Sequence, residues 1–211
     1  MRERETMNKL SIDQFRTMLG AALVAVKERE DYFSGLDAVT GDGDHGTAIV
    51  SALNAAISAS KVATDFKGMF NDIGFGVMLN TSGSTSTLMG GFFLGMADGS
   101  QGTEMNADQL KTMFNSGLEG VAKNTKATIG DKTIMDALIP AVEAISGCES
   151  EDIREILLAG AAAAQSGAAA TVAMKANFGR ARNYGERSIG TMDAGASSWA
   201  TIFDSFSKTI Q

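Results

Sequence analysis

Residues 152–174 read "DIREILLAGAAAAQSGAAATVAM". Two readings compete for such a stretch: a low-complexity disordered tract, or a helix. Alanine is the best helix former, because it loses no side-chain entropy on ordering. Its small side chain also lets a neighbouring helix come close. The stretch therefore reads as a central helix, and the chain around it reads the same way.

On its N-terminal side, "GDKTIMDALIPAVEAISG" (130–147) sets Met135, Leu138, Val142 and Ile145 on one face. Pro140 interrupts that face, and its missing N–H should bend or split the helix. On the other side, residues 176–195 hold four glycines and little apolar periodicity, which predicts a long loop. A last helix is expected from about 195, with Trp199, Ile202, Phe203 and Phe206 facing inward.

Further towards the N-terminus the helical spacing repeats. Asn106 reads as the N-cap of a helix carrying Leu110, Met113, Phe114, Leu118 and Val121. "SGSTSTLMGGFFLGMADGS" (82–100) opens with small polar residues and continues as an apolar helix. Another helix is expected over about 67–80. Ile49, Leu53, Ala56 and Ile57 form one face, and Ile12, Phe15, Leu19, Ala22 and Val26 form the first. "GDGDHG" (41–46) then reads as the loop joining the first two helices. Alternating strand patterns are nearly absent. The expected fold is all-α, a single domain over 1–211 with about eight helices in an antiparallel bundle or barrel.

Composition narrows the function classes. The 211 residues carry a formal net charge of -7, which argues against nucleic acid and anionic membranes as partners. A lone Cys148 excludes an intrachain disulfide. No apolar run reaches transmembrane length, and the first residues lack the apolar core of a signal peptide. A cytoplasmic protein is expected.

Asp37, Asp42 and Asp44 fall within eight residues of the first interhelical loop. Crowded carboxylates repel one another unless a cation sits among them. Hard oxygen donors select Mg²⁺ or Ca²⁺. An EF-hand fits poorly, because Gly46 and Leu53 stand where ligands are needed. Mg²⁺ fits better, since it takes few carboxylates and completes its shell with water and phosphate. From spacing alone the same aspartates also read as helix caps in a solvated turn. His45, the only histidine, stands beside them.

"LDAVTGDGDHG" (36–46), "GDKTIMDAL" (130–138) and "GRARNYGERSIGTMDAGA" (179–196) together resemble the nucleotide-binding L subunit of dihydroxyacetone kinase. The same domain occurs fused in one-chain dihydroxyacetone kinases and in a fatty acid kinase subunit. The resemblance spans nearly the whole chain with its motifs in order. It implies an eight-helix antiparallel barrel with the nucleotide site at one rim. It implies that Asp37, Asp42 and Asp44 hold two Mg²⁺ ions on the phosphates of ADP or ATP, with His45 beside them. It places Gly83, Ser84 and Thr85 in the phosphate loop, Arg180 on the phosphates, Asp193 beside the nucleotide, and Thr125 in the nucleotide-binding set. Ile134 and Met135 are expected either to line the adenine pocket or to pack in the core. Asp131 and Thr133 are expected to cap the helix that follows, and Arg187 to pair with Glu186 or Asp193.

The chain departs from the family pattern in three places. "SGSTSTL" (82–88) replaces a loop of the Gly-Gly-small-Ser-Gly-Pro-Leu type, "DAG" (193–195) replaces Asp-Pro-Gly, and Ile129 replaces a proline. There is no Walker A lysine motif and no protein-kinase glycine loop. The chemistry implied is phosphoryl transfer by positioning and charge stabilisation. The ketone would be held on a separate K subunit, and the phosphate would come from ATP or from a phosphohistidine carrier of the phosphoenolpyruvate system. A kinase subunit for another small ketose or an acyl chain, a nucleotide-sensing regulatory module, and a homodimer are left open.

Overall fold

The computed structural model describes residues 6–210. A two-residue strand, β1 (Leu10–Ser11), leads into helix α1 (Ile12–Lys27), whose start is set by a capping box. Ser11 Oγ accepts from Gln14 N, and Gln14 Oε1 accepts from Ser11 N. Then follow α2 (Glu30–Ala38), α3 (His45–Ala59), α4 (Phe66–Asn80) and α5 (Gly83–Asp98). A second short strand, β2 (Glu104–Met105), pairs antiparallel with β1. The rest comprises α6 (Ala107–Ala122), α7 (Met135–Gly147), α8 (Ile153–Ala170) and α9 (Ala194–Thr209).

The helices close a ring. Each of α3 to α9 packs on the next, α9 packs on α1, and α1 packs on α3. These eight form the expected antiparallel barrel. The ninth, α2, is an addition that packs against α3 and α9. The acidic loop therefore joins α2 to α3, not the first two helices. The break between α1 and α2 falls at Glu28–Arg29 in a run of charged residues, with neither glycine nor proline to announce it.

The barrel interior is aromatic. Phe15, Phe70, Phe93, Phe92, Phe114, Phe203 and Phe206 contact one another in a closed circuit, with neighbouring ring centroids 5.0 to 6.5 Å apart. Edge-on and tilted contacts of this kind add to the burial of each ring. Small residues draw the walls together. A Cβ on Gly95 would lie 2.2 Å from the Ser116 carbonyl, and one on Gly167 would lie 1.9 Å from that of Asp136. The first seals α5 against α6; the second seals α8 against α7.

Several sequence expectations are corrected. Pro140 does not split α7, which runs unbroken through it. That helix starts at Met135, after a turn over residues 130–134. The stretch expected as an open loop contains a 3-10 segment over Arg180–Ser188, kinked at Gly185. A small strand pair exists where no sheet was expected. Finally, Ile153–Ala173 is long and apolar enough by composition to cross a membrane. Its alanines make it so, and its Ile153, Ile156, Leu157, Gly160, Ala161, Ala164 and Ala168 face is buried in the barrel wall.

Candidate functional site

A cleft of about 440 Å³ opens at one rim of the barrel. Its walls come from the end of α2, the acidic loop, the first turns of α3 and α5, the α6–α7 connection, and the segments on either side of the 3-10 stretch.

One end is acidic. Asp37 lies in the last turn of α2, and its Oδ2 accepts from Gly43 N at 2.8 Å and Asp44 N at 3.2 Å. These bonds curl the loop back on the helix. Glycine is needed twice in that curl. A Cβ on Gly41 would sit 2.4 Å from Asp37 Oδ1, and Gly43 has a φ of +78°. The curl brings one carboxylate oxygen each of Asp37, Asp42 and Asp44 within 4.8 Å of one another. Arg180 reaches in from the 3-10 segment and forms an ion pair with Asp42. That guanidinium holds the Asp42 carboxyl below the usual range. Asp44 is pushed the other way, first by loss of solvation and then by the charges of Asp42 and Asp37. Three hard oxygen donors, one of them disfavoured as a free anion, suit a divalent cation such as Mg²⁺.

His45 begins α3 and is held from both sides. Its Nε2 lies 2.9 Å from Ser198 Oγ and its Nδ1 lies 3.4 Å from Thr85 Oγ1. Ser198 Oγ already donates to the Gly195 carbonyl, so the bonding network assigns the imidazole proton to Nε2. Burial lowers the His45 pKa, which favours the neutral ring.

Ser84 and Thr85 line the cleft from the first turn of α5, whose cap residue Ser82 makes no side-chain bond to the helix. Free backbone N–H groups at such a start attract anions. Gly83 opens the helix at φ +86° but stands outside the lining.

Apolar side chains complete the lining: Leu88, Ile134, Met135, Phe178, Met192 and Trp199. Met135 is both core and wall, being 3% exposed. Thr125 also lines the cleft, and its Oγ1 accepts from Ala127 N. Asp193 caps α9 by accepting from Ala196 N at 2.7 Å, and burial pushes its carboxyl up to about 6.

The structure thus brings Asp37, Asp42, Asp44, His45, Ser84, Thr85, Thr125, Ile134, Arg180 and Asp193 to one cleft. Two supporting roles differ from expectation. Thr133 Oγ1 accepts from Met135 N, but Asp131 holds the preceding turn, accepting from Thr128 N. Arg187 lies over the Tyr184 ring at 5.4 Å, and Glu186 pairs with Lys175 instead. Asn124, Phe178 and Lys132 line the cleft without having been singled out from sequence. Lys132 stood inside the quoted "GDKT", but only the fold reveals where its ammonium goes.

The DAK2 domain model matches residues 39–208. The chain belongs to the DAK2-domain family. This DAK2-domain chain is 35% identical over 195 residues to the ADP-binding subunit of PEP-dependent dihydroxyacetone kinase 2 of Listeria innocua serovar 6a, covering 88% of this chain and 90% of that one. It is 37% identical over 180 residues to the ADP-binding subunit of the PEP-dependent dihydroxyacetone kinase of Escherichia coli K12, covering 80% and 82%. Among solved structures it matches the dihydroxyacetone kinase from C. freundii in complex with AMP-PNP and Mg²⁺, with a TM-score of 0.72 and 22% identity over 99% of this chain. The DAK2-domain chain spans 36% of that protein's length, and the likeness is one of fold.

Proposed function

We propose that this chain is the nucleotide-binding subunit of a dihydroxyacetone kinase. The observation that carries the reading is the make-up of the cleft: three convergent aspartates and Arg180 share one lining with apolar side chains such as Ile134, Met135 and Phe178. A nucleoside di- or triphosphate joins the same two chemistries in one molecule. The two relatives named as ADP-binding subunits, matched over most of their length, support it.

In this reading Asp37, Asp42 and Asp44 hold two Mg²⁺ ions. Bound there, the metal neutralises phosphate charge and fixes the phosphate oxygens. The chain's own groups do the rest. The α5 N–H groups, Ser84 and Thr85 cradle phosphate. Arg180 supplies a planar, permanently charged donor. Neutral His45, bonded to Ser198 and Thr85, ties the starts of α3, α5 and α9 together beside the phosphates without further charge. Ile134, Met135 and Phe178 pack on the base.

The substrate hydroxyl is presented by a dihydroxyacetone-binding K subunit docked at the rim, and a phosphohistidine carrier recharges the bound ADP. Turnover tests this directly. The purified chain with MgATP and dihydroxyacetone should form no sugar phosphate. Adding a K-type subunit, with or without the carrier, should restore it. Steady turnover by the chain alone, absent in an Asp44→Asn control, would put the ketone site on this chain and overturn the division of labour.

A further inference from the structure

Lys132 is buried, 5% exposed, and it is the one described non-glycine residue with positive φ, at 59°. An L-residue adopts that conformation at a cost, so the fold holds it there for a reason. The side chain supplies one. Its Nζ donates to the Thr171 carbonyl at 2.6 Å and also to the Thr191 carbonyl. Three separate segments therefore meet on one ammonium: the α6–α7 connection, the end of α8, and the strap just before α9. The carboxylates of Asp136 and Asp193 lie near enough to favour its charge, although burial opposes it.

The strap matters because Thr191, Met192 and Asp193 line the cleft. It leads directly into the first turn of α9, which abuts the α6–α7 connection, since a Cβ on Gly195 would lie 2.4 Å from Ile134 Cγ2. Other bonds tie the strap to the end of α8, where Gly190 N donates to the Val172 carbonyl and Asp193 N to Thr171 Oγ1. Neither reaches the α6–α7 connection, which carries Ile134. The Lys132 ammonium makes that link. Its turn is in turn fixed by Asp136, which accepts from Gly130 N and Thr133 N on either side of it.

We propose that Lys132 is a positioning residue that clamps the Thr191–Asp193 strap to the α6–α7 connection and so fixes the wall that receives the nucleoside end of the nucleotide. The proposal rests on the nucleotide reading above. It concerns the nucleoside end, because the Lys132 hydrogen bonds go to the Thr171 and Thr191 carbonyls and not to Asp37, Asp42, Asp44 or Arg180.

Two variants test it. Lys132→Gly keeps the turn, which glycine adopts without strain, and removes the clamp. Lys132→Met keeps the buried stem and removes only the ammonium. Hydrogen exchange of the ligand-free protein should quicken by about 10-fold or more at 190–193, given the weight of hydrogen bonds to a charged donor. Exchange in α1 should stay as in the wild type. MgADP affinity should fall by about 10-fold on the same basis, while affinity for magnesium pyrophosphate, which lacks the nucleoside, stays unchanged. Wild-type exchange at 190–193 in either folded variant would overturn the proposal. So would equal losses of MgADP and magnesium pyrophosphate affinity, which mark a general structural defect. If the wild type itself binds no MgADP, the nucleotide reading fails, and the exchange comparison still decides whether Lys132 clamps the strap.

Discussion

Arg180 and Asp42 form an ion pair across the mouth of the cleft, joining the 3-10 segment to the acidic loop. Both side chains are largely exposed, so the pair adds little to stability. Its consequence is placement. The guanidinium stands beside the only group of three carboxylates that converge among the described residues. On the proposed nucleotide reading, a phosphate would meet a cation already in position.

Arg180→Ala should therefore weaken MgADP binding by roughly 10- to 100-fold, the range for a hydrogen bond to a charged group. Arg180→Lys should recover only part, because it loses the planar fork. Titration calorimetry on the two variants checks this. A lysine variant that binds like the wild type would rule out the bidentate role. Thermal stability should hardly move in either.

Phe15 is part of the aromatic circuit of the barrel interior. It contacts Phe66, Phe70 and Phe206, with centroids at 6.2, 5.0 and 5.7 Å, and is fully buried. Phe15→Ala should destabilise the fold by about 3–5 kcal/mol, the usual range for a core phenylalanine. Denaturant unfolding measures it. Because Phe15 does not line the cleft, nucleotide affinity of the folded variant should be retained.

Asp193 gives a pH dependence with a definite sign. Burial pushes its carboxyl up to about 6, above the ordinary 3.8. Between those values the folded chain binds the proton more tightly than the unfolded chain. Its contribution is fully present below pH 3.8 and is lost as pH rises through 6. Asp193→Asn keeps a good N-cap acceptor for α9 and removes the titration. The variant should gain stability relative to the wild type between pH 4 and pH 7, by roughly 1–3 kcal/mol. Unfolding curves at several pH values read the difference. A difference that stays flat across that range would refute the raised carboxyl.

What the sequence conveyed, and what it hid, divides along physical lines. Helix faces were legible because burial imposes their period: Phe15 and Leu19, Leu110 and Phe114, and Ile202 and Phe206 are all in the core. Asn106 was legible as a cap because its chemistry is local, and the structure shows it accepting from Gln109 N. The acidic loop stood out for the same reason. Helix α2 was hidden because it buries only Phe33 and starts amid charged residues. Arg187 was misassigned because an arginine's partner depends on how a loop folds; here the Tyr184 ring wins over the carboxylates. Lys132 was hidden most deeply. Its positive φ and its carbonyl partners, 39 and 59 residues away, are properties of the assembled barrel.

The central claim is a magnesium-dependent nucleotide site at the acidic end of the cleft, and calorimetric titration of ADP tests it most directly. The titration is run with Mg²⁺, with chelator in its place, and on Asp42→Asn and Asp44→Asn, which remove charge with little change in shape. The expected result is clear binding by the wild type with Mg²⁺, and binding weakened by about 10-fold or more without the metal or in either variant, as loss of interactions with charged groups requires. Equal ADP affinity under all four conditions would contradict the account, and would leave Asp37, Asp42 and Asp44 as the turn-forming residues of an ordinary interhelical loop.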